Sequence, residues 1–302
     1  MDFIFFPRPQ SGTTGVPPDG QYAYAKTPDK QVSIYKLQAP LSFRIMSEEL
    51  ERLTVLELAF RATVSGTTHA ALRTADLIFF FDLSAERLVG GLSLAPFPQI
   101  TCMAFGASGD SLFLGSEEGT LFRVACEQFD ANEFPVSQWT ALVSGGIAKI
   151  SMNGLLSSNT LLLSEEGELF LFSAEEGLIH YEPLEGARFH PLDFIVSPFG
   201  EILLLKDRLV VSKNGLLTYV SIEGSEQLAI RGIGASTQYD ALVFGRRHIF
   251  GVTIDLSNFN AIRPGSEIVE KPDVLVSQLA YCDKEILHLV ETPQGRLLAL
   301  YE

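Results

Sequence analysis

The chain holds little of what a catalytic or metal centre is usually built from. Its three cysteines, Cys102, Cys126 and Cys282, lie far apart in 302 residues. With no CxxC pair, neither a zinc knuckle nor a disulfide framework is indicated. Five histidines occur, His69, His180, His190, His248 and His288. None stands at helical metal-ligand spacing from another, and there is no HExxH. No run approaches the ~18 apolar residues of a membrane-spanning helix. No Asn-x-Ser/Thr acceptor is present. The start, MDFIFFPRP, has an acid at position 2 and only four apolar residues before Pro7, which is too short and insufficiently basic for a secretory signal. These absences give the expectation of an intracellular protein, cytoplasmic or nuclear, with no catalytic residue, no cofactor and no metal.

Positive charge is also scarce. Lys and Arg total 22 against 37 Asp and Glu, a formal net charge of -15. A phosphate backbone is repelled by that balance, so nucleic acid is not an expected partner, whereas basic protein segments are. The same surplus keeps a chain that is 46% hydrophobic in solution.

What the chain does have is repetition. A strand, a short polar turn ending in Gly, and a second strand recur in SLFLGSEEGTLFRV (111–124), NTLLLSEEGELFLF (159–172) and LVVSKNGLLTYV (209–220). Residues 286–300 and 21–35 follow the same scheme. Marking the end of each turn gives Lys30, Ala75, Gly119, Gly167, Gly215, Arg247 and Gly295, separated by 45, 44, 48, 48, 32 and 48 residues. A four-stranded propeller blade needs about 40–50. The runs are short, β-branched or aromatic, and bounded by Gly, Pro, Asp and Asn, so they read as strands. LIFFF (77–81) and EILLL (201–205), apolar on both faces, are expected as inner strands between neighbouring blades. One helical signal, Ser47 to Leu53, is placed between the first two blades. Residues 8–20 read as a loop inside the first.

The first of these units, Pro18-Asp19-Gly20, Tyr22-Ala23-Tyr24-Ala25 and Asp29 to Tyr35, resembles a WD-repeat unit. In that family a Pro-Asp-Gly turn precedes the second strand, an Asp occupies the next turn and an aromatic ends the third strand. Asp29 and Tyr35 match the last two positions. Gly119, Gly167 and Gly215 match the turn glycine, with Glu118, Glu166 and Asn214 in place of the Asp. The Gly-His and Trp-Asp dipeptides of the family are missing. The resemblance implies a fold and carries over no site residue.

The expected architecture is therefore all-β: a single β-propeller spanning 1–302. It has seven blades of antiparallel four-stranded sheets, at about 1–46, 51–92, 97–140, 145–186, 190–224, 225–265 and 270–302. In this register residues 2–6 form the first blade's own innermost strand. The last blade takes 275–281, 286–290 and 297–301, then runs out of chain, which leaves 297–301 as an open edge for strand addition; the alternative register has residues 2–6 supply its outer neighbour instead.

Few residues stand out chemically. Gly91-Leu92-Ser93-Leu94-Ala95 lacks the second Gly and the following helix of a nucleophile elbow. Gly232-Ile233-Gly234-Ala235-Ser236-Thr237 lacks the helix of a phosphate loop. More distinctive are Glu117-Glu118 and Glu165-Glu166, at equivalent turns of adjacent blades. All such turns face one side of a propeller, so four carboxylates, with Asp29 further round, form an acidic rim suited to a basic peptide. Arg246-Arg247 interrupts it at the sixth blade. Trp139, with Phe129 and Phe134, is a candidate aromatic anchor for a partner. The function expected is a non-catalytic protein–protein interaction scaffold, a subunit of a multiprotein complex using the acidic rim or the open strand edge. The alternative is a propeller enzyme such as a metal-dependent hydrolase or lactonase.

Overall fold

The computed structural model describes residues 3–7, 13–15, 22–27, 29–38, 42–45, 50–63, 66–106, 109–126, 134–140, 145–152, 160–173, 177–181, 193–197, 200–205, 208–213, 216–222, 227–232, 239–255, 273–291 and 297–302. The first strand, β1 (Phe3–Pro7), belongs to the end of the chain and is taken up last. Four sheets follow as antiparallel meanders. The first holds β2 (Thr13–Gly15), β3 (Tyr22–Lys26), β4 (Val32–Gln38) and β5 (Ser42–Ile45). A short 3-10 turn, Leu50–Arg52, leads to the second: β6 (Glu57–Thr63), β7 (Gly66–Arg73), β8 (Leu77–Asp82) and β9 (Arg87–Ser93). The third holds β10 (Ile100–Phe105), β11 (Ser111–Ser116), β12 (Thr120–Ala125) and β13 (Val136–Thr140). The fourth holds β14 (Ile147–Met152), β15 (Thr160–Ser164), β16 (Leu169–Ser173) and β17 (Gly177–Tyr181).

Two more follow the same order. The fifth has β18 (Asp193–Ser197), β19 (Gly200–Leu204), β20 (Arg208–Lys213) and β21 (Leu216–Ser221). The sixth has β22 (Gln227–Gly232), β23 (Ala241–Gly245), β24 (His248–Asp255) and β25 (Asp273–Tyr281). The seventh joins β26 (Ile286–Glu291) and β27 (Leu297–Tyr301) to β1. First strands of successive sheets pack side by side, as β6 with β10, β10 with β14 and β18 with β22, and β26 packs beside β2. The fold is a β-propeller.

Burial explains why the sheets stack. Leu77–Asp82 is apolar on both faces because both meet another sheet, Ile78 and Phe80 packing with the third sheet and Phe79 and Phe81 with the first. Ile202 and Leu204 of β19 pack together on one face, against the sixth sheet. These strands, β8 and β19, are the third and second of their sheets, in the middle of each blade rather than at the centre of the ring. One core cluster joins Phe80 and Ile78 of β8 to Met103, Leu112, Leu114 and Phe122 of the third sheet. Gly115 has no room for a side chain, since a methyl there would sit 2.8 Å from the Cys102 sulfur and from Ile147. All three cysteines are free and buried. Burial pushes the Cys102 and Cys126 thiols up to about 12, so they behave as small hydrophobes rather than nucleophiles.

A series of donors stitches the first four sheets together near the starts of their innermost strands. Lys26 Nζ donates to the Leu56 carbonyl at 3.0 Å. Arg73 Nη1 and Nη2 donate to the carbonyls of Ile100 (2.8 Å) and Thr101 (3.3 Å). Thr101 Oγ1 donates to the Ile147 carbonyl at 2.6 Å. Arg73 Nε also meets Glu57 Oε2 at 3.1 Å, while Glu57 Oε1 accepts from the Met103 amide.

The structure corrects several expectations about register. Phe3–Pro7 pairs in parallel with Leu297–Tyr301, Ile4 opposite Leu298 and Phe5 opposite Ala299. Residues 2–6 are therefore not the first blade's innermost strand; Thr13–Gly15, inside the expected loop, is. The edge of 297–301 is covered, so it is not the open edge expected for strand addition. Residues 275–281 lie in β25, the outermost strand of the sixth blade, and not in the seventh. Gly215 lies between β20 and β21, outside the described residues, whereas the equivalent turn of that blade joins β19 to β20. Gly295 likewise falls between the first and second strands of its sheet. Second strands beginning at Thr160, Gly200 and Ala241 are nearly evenly spaced; the short gap of 32 came from a misplaced marker. Of the expected helix, Leu50–Arg52 is a single 3-10 turn, and Ser47 lies outside the described residues.

Arg73 is the joint between the second and third sheets. Replacing Arg73 by Met, which keeps the aliphatic stem, strands the Glu57 carboxylate and two carbonyls. A stability loss of about 2–4 kcal/mol is expected in urea unfolding. Burial also raises the Glu57 carboxyl above its usual range, ahead of the opposing Met103 amide and Arg73. The folded state then holds that proton more tightly than the unfolded one. Its contribution stabilises in acid and fades as pH rises through the folded value, and Glu57→Gln should flatten that part of the pH–stability curve.

Candidate functional site: the acidic turns

Three turns between second and third strands share one construction. In the third sheet, Ser116 accepts from the Gly119 amide through its carbonyl (3.1 Å) and from the Thr120 amide through Oγ (3.0 Å). In the fourth, Ser164 does the same for Gly167 (3.0 Å) and Glu168 (3.0 Å). In the first, Thr27 takes the Lys30 amide (2.9 Å) and the Gln31 amide through Oγ1 (3.2 Å). The residue before the last must be left-handed, with φ of 76° at Gly119, 82° at Gly167 and 64° at Lys30. A hydroxyl at the first position and Gly at the fourth thus fix the turn, and the two residues between point outward.

Those two residues are Glu117-Glu118 and Glu165-Glu166, all exposed, as is Asp29. Each turn is held by the segment entering the first strand of its own sheet: the Glu117 amide donates to the Gln99 carbonyl before β10 at 3.0 Å, and the Glu165 amide to the Gly146 carbonyl before β14 at 2.8 Å. A methyl on Gly146 would lie 3.0 Å from the Glu117 Cα and carbonyl oxygen and 3.1 Å from the Glu165 carboxyl carbon. Gly146 is the saddle between the two acidic turns, and its lack of a side chain lets them approach. That closeness of two adjacent turns was legible in the repeat; the role of Gly146 was not, because nothing in its immediate sequence marks it.

Arg246-Arg247 occupies the equivalent turn of the sixth sheet, between β23 and β24, and both side chains are exposed. Arg246 Nε lies 3.5 Å from Glu285 Oε1, an exposed pair of ~0–1 kcal/mol. The carbonyls of Arg246 and Arg247 accept from the amides of Ile286 (2.5 Å) and Cys282 (2.9 Å). The turn thereby anchors the start of the seventh sheet.

The aromatic candidates separate. Phe134 is buried and packs against Phe80, ring centroids 4.9 Å apart, so it belongs to the core and offers nothing to a partner. Trp139 lies on β13 opposite Leu121; its side chain, and Phe129, lie outside the described residues. Beside them, unmarked by any motif, lies a cleft of about 500 Å³ at the seam of β9 and β13, lined by Leu92, Phe97, Phe122, Val136 and Gln138 among others. Ser93 of the near-elbow ends an outer strand, and its hydroxyl accepts from the Ala95 amide. Among the described residues, no three His, Cys, Asp or Glu side chains gather where they could hold a metal. Among the described residues, no helix is long and apolar enough to cross a membrane.

The fold and these surface turns define a β-propeller. Compared with known proteins, no family model matches the sequence and no curated protein matches it. Solved structures do: 1268 chains match, so likeness of fold by itself selects no activity. One is a chain from a structure of a mitotic checkpoint complex, at 10% sequence identity and a TM-score of 0.61, covering 96% of this chain and 83% of that one.

Two substitutions test the turns. Lys30→Gly removes a left-handed non-glycine residue and is expected to stabilise by about 0.5–1 kcal/mol, seen as a higher urea midpoint at unchanged slope. Gly146→Ala, which presses on the Glu117 backbone, should cost about 1–3 kcal/mol in the same measurement.

Proposed function

We propose that the protein is a non-catalytic interaction scaffold: an intracellular, WD-repeat-like propeller that holds a basic segment of a partner protein against its acidic turns. The observation that carries this reading is the convergence of Glu117 and Glu165 on Gly146. Two adjacent blades thus present exposed carboxylate pairs side by side, in a chain whose formal net charge is -15. Clustered charge of one sign steers an oppositely charged partner and fixes its orientation. The propeller fold supports the reading, since one chain of similar fold belongs to a multiprotein checkpoint complex. Buried free thiols agree with a reducing compartment.

The test is the quadruple variant Glu117→Lys, Glu118→Lys, Glu165→Lys and Glu166→Lys, each change at an exposed position. A partner that purifies stoichiometrically with the wild-type protein should bind the variant at least roughly tenfold more weakly, with a flatter dependence on salt. Equal affinity and equal salt slope would leave these carboxylates as solvated turns.

A further inference from the structure

The seam between the second and third sheets is filled at the middle strands and open at the outermost ones. In the middle, Ile78 and Phe80 of β8 interlock with Leu114, Phe122 and Val124. Across the β12–β13 ladder Phe122 and Val124 stand opposite Gln138 and Val136. Cross-strand partners share a face of their sheet, so Gln138 and Val136 also face the second sheet. What meets them is β9, which carries Gly90 and Gly91 at its middle. Gly90 stands opposite Phe80, on the face turned to the third sheet, with no side chain to reach across. The seam of the fifth and sixth sheets shows the filled alternative, where Val220 of β21 and Val274 and Val276 of β25 join the core. Here a cleft of about 500 Å³ remains, and Val136 is 42% exposed beside it. The Phe97 and Phe122 rings, edge to face with centroids 5.0 Å apart, give it an aromatic floor.

The cleft adjoins the acidic turn of the third sheet. Ser93, Pro96 and Phe97 line it as the chain leaves β9 for β10. Two residues after Phe97 comes Gln99, whose carbonyl holds the Glu117 amide at 3.0 Å. On the other wall, β12 leaves that same turn at Thr120 and reaches Phe122. Both walls therefore start at the turn that carries the exposed Glu117 and Glu118.

We propose that the cleft and the Glu117–Glu118 turn form one site for an extended segment of a partner protein. That segment carries an apolar side chain roughly two to four residues from a pair of Lys or Arg. The apolar side chain seats between Val136 and Phe97, and the cations lie over the two carboxylates. Charge complementarity selects this occupant. The described lining of the cleft has no charged side chain, so it takes the apolar part, and the adjoining carboxylates fix where the cations fall. The inference rests on the scaffold reading and adds the apolar half of the partner's motif.

The probes are two capped peptides with a Leu three residues after, or three residues before, a Lys pair, followed by fluorescence anisotropy. At least one should bind. Replacing its Leu by Ser, or Val136→Gln in the protein, should weaken binding roughly fivefold at an unchanged salt slope. Val136→Gln alters an exposed position, so the urea midpoint should stay where it is. Glu117→Gln combined with Glu118→Gln should weaken binding similarly and flatten the slope. Absence of binding by both peptides would overturn the site. Binding that needs the carboxylates but ignores the peptide's Leu and Val136→Gln would overturn the cleft and leave the scaffold reading intact. Binding that needs the Leu and Val136 but not the carboxylates would overturn the joint site and the scaffold reading together. Binding that appears only after Phe129→Ser would assign the cleft to this chain's own residues 127–133. A wild-type dimer that Val136→Gln converts to monomer would assign it to a second copy, and either result removes the partner.

Discussion

The sheets of this chain are apolar on both sides, and a sheet of that kind has to be covered on both sides. Every blade therefore needs two neighbours, and a linear row would leave an apolar face at each end. Closing the row into a ring removes both ends, which is why Phe3–Pro7 crosses to the C-terminal sheet. The cluster of Leu242, Phe244 and Ile249 with Ile286, Leu289, Leu297 and Ala299 shows the cover that the closing sheet supplies to the sixth. The hydrophobic return from burying two faces per blade is what the rest of the molecule is arranged to secure.

Polar groups divide according to that constraint. Where strands of adjacent sheets begin, backbone carbonyls at the seams need partners, and Lys26, Arg73 and Thr101 supply them across the junctions. Cations are few, and two of them are used here as structural donors. The acids, by contrast, collect in turns such as 116–120 and 164–168, where Ser116 and Ser164 satisfy the backbone and the acidic side chains stand exposed. A surplus of negative charge is thus accommodated without cost to the core.

What was legible in the sequence was whatever a single turn or strand encodes locally. A short acidic run ending in Gly119 or Gly167 announced the turns, and short β-branched or aromatic runs announced the strands. Membership of a strand in a particular sheet is not local. Lys213-Asn214-Gly215 has the same reversing chemistry as the acidic turns, yet it joins a later pair of strands, so the marker slipped by one. Asp273–Tyr281 alternates as convincingly as an innermost strand would, but its partner is β24, on the far side of a long connection. Once that assignment moved, the last blade lost a strand and Phe3–Pro7 was needed beside Leu297–Tyr301.

The candidate sites follow the same division. The acidic pairs could be read because they recur at one point of a repeat, and the ring converts equal position in the repeat into proximity in space. Gly146 could not, because its importance comes from Glu117 and Glu165 arriving on either side of it. Phe134 could be read either as an anchor for a partner or as packing between blades, and only Phe80 of another sheet, found against it, decides for packing. Leu275 lies on the boundary between these cases. Its alternation with Val274 and Val276 belongs to the strand, but its exposure belongs to the neighbouring blade. Among the described residues the seventh sheet has three strands where the sixth has four, and Leu275 stands exposed on the face of β25 turned toward it.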